Sequence, residues 1–123
     1  MNYLGIDYGE AKIGLAKATD EARVSVPFRT VLNAPDLIDQ LERIILAEGI
    51  EHIVVGYPLT LSGGQGAATN MVDGFIEKLK TLSLPITTQD ERFSTTSGSN
   101  SRERDHPAAA ALILATYLEA HPL

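Results

Sequence analysis

Residues 2–8 (Asn-Tyr-Leu-Gly-Ile-Asp-Tyr) and 12–18 (Lys-Ile-Gly-Leu-Ala-Lys-Ala) are two mostly apolar runs parted only by Gly9-Glu10-Ala11. A gap that short is a hairpin turn, so the chain opens with paired antiparallel strands. A third strand is expected from Val24 to Val31. Pro27 marks it as bulged or at a sheet edge, because proline has no N–H to give a ladder.

After this meander the apolar period lengthens. Asn33 reads as an N-cap, Pro35 lies in the first turn, and Asp36 suits the positive end of a helix dipole. Leu37, Ile38, Leu41, Ile44 and Ile45 recur at helical spacing, and Gly49 closes the helix. His52-Ile53-Val54-Val55-Gly56 has the continuous apolar character of a buried parallel strand. A loop over residues 58–67 leads to a second helix, with Met71, Val72, Phe75, Ile76 and Leu79 expected on its inner face. Residues 85–89 read as a strand ending at Asp90-Glu91-Arg92, and the polar stretch 94–104 as a loop. The last element is a helix from about His106 to Glu119, with Pro107 in its first turn and Ala109, Ala110, Ile113 and Tyr117 facing inward. The order β-β-β-α-β-α-β-loop-α describes an α/β domain over 1–123: a mixed five-stranded sheet with helices packed on it.

Composition narrows the chemistry. The absence of cysteine excludes disulfides, a thiol nucleophile and thiolate zinc sites, and is compatible with a reducing cytosol. No apolar run approaches the ~18 residues of a membrane span, and the N-terminus has no basic stretch of the kind a secretory signal needs. A cytoplasmic protein without a membrane partner is the expectation. With 10 basic and 16 acidic residues the formal charge is −6. Indiscriminate affinity for nucleic acid comes from Lys and Arg neutralising phosphates, so this balance argues against it. A nucleic-acid enzyme of this composition needs local cations at its site.

Three places carry candidate chemistry. Asp7 is a carboxylate inside the apolar strand Leu4-Gly5-Ile6-Asp7, costly to desolvate unless it is paired or holds a cation. Glu91 lies just past a strand expected to be internal, where open α/β sheets place ligand sites. At Asp105-His106-Pro107 the last helix begins. Asp105 there is an ordinary helix cap, whereas His106 shares a face with Ala110, Ile113 and Tyr117, at offsets of 4, 7 and 11. That face packs on the sheet and would bring the imidazole with it.

Five short motifs occur in order: Gly5-Ile6-Asp7-Tyr8-Gly9, Lys12-Ile13-Gly14-Leu15-Ala16, Val54-Val55-Gly56-Tyr57-Pro58-Leu59, Asp90-Glu91-Arg92-Phe93-Ser94-Thr95 and Ala109-Ala110-Ala111-Leu112-Ile113-Leu114. Together they resemble the YqgF/RuvX family, whose members are similar to Holliday-junction resolvases of the RuvC type and have the ribonuclease H-like fold. The likeness implies a magnesium-dependent nuclease that trims the 5′ end of pre-16S rRNA, with branched DNA as the alternative substrate. Asp7 matches the family's strand-1 aspartate, and Glu91 the glutamate of its Asp-Glu-Arg motif. The family has an Asp just before the final Ala-rich helix, and His106 stands at that place with Asp105 one residue early. Either His106 replaces the carboxylate as ligand or Asp105 reaches in through a shifted helix start. An imidazole ligand would favour Mn2+ over Mg2+. The family usually has a further helix and basic residues after Glu91. Here only the polar stretch remains, with Arg102 and Arg104.

The resulting expectation is metal held by Asp7, Glu91 and the Asp105/His106 position, acting on a scissile phosphate. Lys12 and Arg92 are candidates for contacts to the phosphate backbone, joined by Arg102 and Arg104. Two rival readings stand beside it. One is a non-catalytic RNA or ribosome-assembly binding module. The other is an actin-like or sugar-kinase-like ATP binder, which also begins Gly-x-Asp-x-Gly but needs two such domains.

Overall fold

A computed structural model describes residues 1–58, 67–90 and 105–121. Strands β1 (Asn2–Asp7) and β2 (Lys12–Thr19) pair antiparallel, from Asn2 opposite Thr19 to Asp7 opposite Gly14. Strand β3 (Val26–Leu32) adds to the free side of β2 as a sheet edge. Its register slips beside Leu15 and Ala16, with Pro27 opposite Ala16. The proline therefore sits where a missing N–H disturbs least.

Helix α1 (Leu37–Glu48) crosses over to β4 (His52–Tyr57), which runs parallel to β1, and Gly49 closes α1 in the left-handed conformation at φ 64°. Helix α2 (Ala67–Leu79) and a short 3-10 turn (Lys80–Leu82) lead to β5 (Ile86–Asp90), parallel to β4. Helix α3 (His106–Ala120) is last. The sheet order is β3-β2-β1-β4-β5. Among the described residues no helix is long and apolar enough to cross a membrane.

Strand alternation splits the core in two. Leu4, Ile6, Ile13, Leu15, Ile53 and Val55 meet the inner faces of α1 and α2. On α2 these are Val72, Phe75 and Leu79. Met71, expected to point inward, is instead 36% exposed at the rim. On the other face Tyr3, Ala16, Ala18 and Val54 meet Ala110, Ile113, Leu114, Tyr117 and Leu118 of α3.

Small residues make this second layer close. A methyl group on Gly5 would lie 2.9 Å from Leu114 Cβ, and one on Gly14 would lie 2.1 Å from the carbonyl carbon and oxygen of His106. The first turn of α3 therefore rests on bare backbone. At its other end, the Arg23 guanidinium donates to the carbonyls of Leu118 and His121. Leu118 lies in the last turn of the helix, where carbonyls lack the i+4 donor, and its oxygen also accepts from the N–H of His121, the C-cap residue. Ser25 Oγ donates to Ala111 O at 2.6 Å. The loop before β3 thus holds α3 along its length.

Beneath α3, His52 packs against Tyr3 and Tyr117 at ring separations of 5.4 and 5.6 Å, with Nε2 2.8 Å from Thr87 Oγ1. Burial, and secondarily His121, hold its pKa below the ordinary 6.5. The folded protein resists a proton that the unfolded chain accepts, so His52 favours folding at and above neutrality and that contribution fades as pH falls below about 6.5.

Two outcomes follow from this packing. Gly14→Ala lowers stability by about 3 kcal/mol or more in urea denaturation, because no side-chain rotation relieves contact with backbone. Between pH 7.5 and 5.5 the wild-type melting temperature falls further than that of His52→Phe, which keeps the stacking and cannot be protonated; equal falls would show that His52 is not the titrating group.

Candidate functional site

Asp7 is the last residue of β1, and alternation along the strand turns it to the α3 face. It is 1% exposed. A carboxylate taken that far from water needs strong partners. One is His106, the first residue of α3, whose Nδ1 lies 3.0 Å from Asp7 Oδ2 across 99 residues of chain.

Several local features set this approach. Asp105 caps α3, its carboxylate accepting from the Ala108 N–H at 3.0 Å, and Pro107 occupies the first turn. Gly14 supplies the flat seat beneath the His106 backbone. Gly9 leaves room for the ring, since a methyl group there would lie 3.1 Å from His106 Cε1 and 2.5 Å from Lys12 O. Asn33 holds this turn by donating from Nδ2 to Gly9 O at 2.9 Å. That replaces the expectation that Asn33 caps α1. The helix begins at Leu37 with Asp36 at its cap position, and residues 34–36 form a turn before it.

Of the two residues at the start of α3, the structure brings His106 to Asp7, while Asp105 is exposed and engaged at the helix cap. Lys12 is exposed at the start of β2. Glu91, Arg92, Arg102 and Arg104 lie outside the described residues. The chain leaves β5 at Asp90, opposite Tyr57 of β4, while Val55 of β4 is opposite Ile6. Asp7 and Asp90 thus stand at the same carboxyl edge of the parallel strands, the edge at which α/β sheets gather ligands.

The buried carboxylate fixes the imidazole orientation, as in carboxylate–histidine pairs at metal and proton-transfer sites. The pair also fits a divalent cation. Two neighbouring ligands on a six-coordinate ion with bonds near 2.1 Å stand roughly 3.0 Å apart, which is the Nδ1–Oδ2 separation here. Among the described residues no three His, Cys, Asp or Glu side chains gather as a metal site, so this pair contributes two donors.

The Asp7 signal was plain in the sequence. The glycine seat and Asn33 were not, because their meaning depends on the register that places the β1–β2 turn beneath α3.

Solved structures share this fold. RuvC of Thermus thermophilus in complex with Holliday junction substrate superposes with a TM-score of 0.65 at 12% identity, covering 98% of this chain and 94% of that one. The Fowlpox virus resolvase in complex with Holliday junction DNA gives 0.60 at 10% identity, covering 98% of each. The fold is therefore that of the resolvase-type nucleases with a ribonuclease H-like sheet. Sequence relatives are nearer. Proteins of Rickettsia typhi and Rickettsia felis, both named "Putative pre-16S rRNA nuclease", are 37% and 33% identical, covering 95% and 94% of this chain and 84% of each relative. The RuvX family model, described as Holliday junction resolvase, matches residues 1–120. The chain belongs to the RuvX family, a family of nucleases.

The cap is directly testable. Asp105→Ala lowers stability by about 1 kcal/mol, and Asp105→Ser restores most of it in urea titrations, because a hydroxyl can take over the Ala108 N–H.

Proposed function

We propose that this protein is a divalent-metal-dependent nuclease that matures the 5′ end of pre-16S rRNA. The observation that carries the reading is the contact between buried Asp7 and His106, made at the carboxyl edge of the sheet from opposite ends of the chain. Relatives at 37% and 33% identity bear the name of a pre-16S rRNA nuclease across 84% of their length, which favours RNA as substrate. The resolvases bound to junction DNA share the fold at 10–12% identity and carry less weight for substrate.

In this reading Asp7 and His106 hold the cation, with Glu91 as the third ligand. A divalent cation held there, Mn2+ or Mg2+, would supply Lewis-acid polarisation of the scissile phosphate and would make the attacking water more acidic. Asp7, removed from bulk water, keeps its charge directed at the site with little screening. Before a cation binds, its hydrogen bond to Nδ1 fixes the plane of the imidazole, and the cation would take the place of the shared proton between Nδ1 and Oδ2. Seating on Gly14 fixes the backbone of His106. Lys12, Arg92, Arg102 and Arg104 meet the phosphates flanking the cut, since local cations must offset the acidic remainder of the molecule.

The test is cleavage of a labelled pre-16S rRNA fragment in Mn2+ and in Mg2+, with a four-way DNA junction in parallel. Wild type cuts the RNA, and Asp7→Asn reduces the rate by at least ~100-fold, more than loss of an outer-shell partner costs. His106→Asp retains cutting and shifts the preference from Mn2+ toward Mg2+. Binding of RNA without cutting in either metal would replace the enzyme with a binding module. Cutting of the junction alone would replace the substrate.

A further inference from the structure

A cleft of about 220 Å3 opens on the sheet face opposite α3, between the start of α1 and α2. Tyr8 forms part of its wall. This residue follows Asp7 directly in the chain and packs with the α1/α2 core layer, so the cleft adjoins the Asp7 edge from the other side. The Tyr8 ring is half-buried and lies against Phe75 with centroids 4.6 Å apart. Met71 adds a polarisable thioether at the rim.

Two side-chain amides stand among the polar groups of the cleft. Asn33 and Asn70 line it, and an amide presents both donors and an acceptor, which suits the edge of a nucleobase. Asn33 spends one donor on Gly9 and keeps its remaining capacity. Among the described residues no carboxylate lines the cleft, in a protein with 16 acidic residues, and the charged residue there is Lys78. Its size lies below the ~300–1,000 Å3 typical of drug-sized ligands, so it admits one ring system.

Gly74 is the most informative residue here. It stands inside α2, where glycine is a poor helix former relative to alanine. Its φ is not in the left-handed region, and among the described residues nothing lies within 4 Å of where its Cβ would be. Neither backbone conformation nor close packing calls for glycine at this place. What the missing side chain does is leave the cleft open.

We propose that this cleft is a subsite for a single unpaired nucleobase flanking the scissile phosphate, and that it directs the protein to single-stranded rather than paired RNA. Stacking on Tyr8 and Met71 is tolerant of base identity, the two amides read the base edge, and Lys78 meets the adjoining phosphate. A base held within a duplex cannot enter without leaving its stack. This inference rests on the nuclease reading for its position beside the cut.

The experiment compares the full chain with Gly74→Leu, which fills the cleft from a helix position that tolerates leucine. Affinity is measured in EDTA by anisotropy for a labelled ten-nucleotide RNA, for the same RNA in a duplex, and for versions with one abasic position moved along the strand. Gly74→Leu is expected to weaken single-strand binding about tenfold or more, to leave duplex affinity unchanged, and to keep or raise the melting temperature. One abasic position should reproduce the loss in the wild type and cost nothing further in the variant. Undiminished single-strand binding by Gly74→Leu, equal losses on both RNAs, indifference to every abasic position, or no binding by the wild type would each overturn the subsite. Cleavage in Mn2+ is scored separately. No cutting with the Gly74 effect intact defeats the nuclease reading and leaves a base-binding site; cutting with no Gly74 effect defeats the subsite alone.

Discussion

The contact on which this structure turns is the seating of the α3 N-terminus on the backbone of β2. Gly14 has no side chain, so the His106 main chain comes down onto the strand, and the imidazole then reaches Asp7 at 3.0 Å. A buried carboxylate and a partner from the far end of the chain meet because one position carries a hydrogen in place of a methyl. Gly5 repeats the arrangement further along the helix under Ala110 and Leu114. Asp105 at one end of α3 and Arg23 at the other satisfy backbone groups that the helix leaves open. The helix is therefore fixed in height by glycines and at its ends by hydrogen bonds, and the site inherits that rigidity.

Much of this was legible before the fold was known, for reasons that can be named. Two apolar runs with a three-residue gap admit little but a hairpin, and the observed strands differ from the expected ones by a residue or two. Asp7 stood out because a carboxylate in an apolar strand demands an explanation. The inward face of His106 followed from helical period, and the structure places the residue on that face. Asn33 misled because a short amide before an apolar helical pattern usually serves as a cap. Here the Gly9 carbonyl competes for it, and a turn intervenes before α1. Met71 misled because a helix flanking a cleft leaves part of its apolar stripe without a neighbour. The three glycines of the seat were visible as letters only; the surface they clear exists once β1, β2 and α3 are in register.

Charge shapes what such a protein can do with nucleic acid. With a formal charge of −6, long-range attraction to a phosphate backbone is weak or adverse. Recognition must come from short-range features at the carboxyl edge, where Asp7 and His106 lie on one face and the cleft lined by Tyr8 and Lys78 on the other. A strand crossing that edge would touch both. The low cationic content then works as a filter, because substrates that engage only through their phosphates gain little.

The span of chain between the two halves of the Asp7–His106 pair also bears on when the site comes into being. The β1–β2 hairpin closes locally, but β1 must wait for β4 to arrive in parallel, and α3 docks across strands separated from it by most of the sequence. Such non-local closures come late and slowly in folding. A partly synthesised or partly folded molecule lacks the pair altogether, and a folded one loses it whenever α3 lifts from its seat. If the pair is the site proposed above, competence would track completion of the whole fold, a built-in delay that would keep immature chains inert.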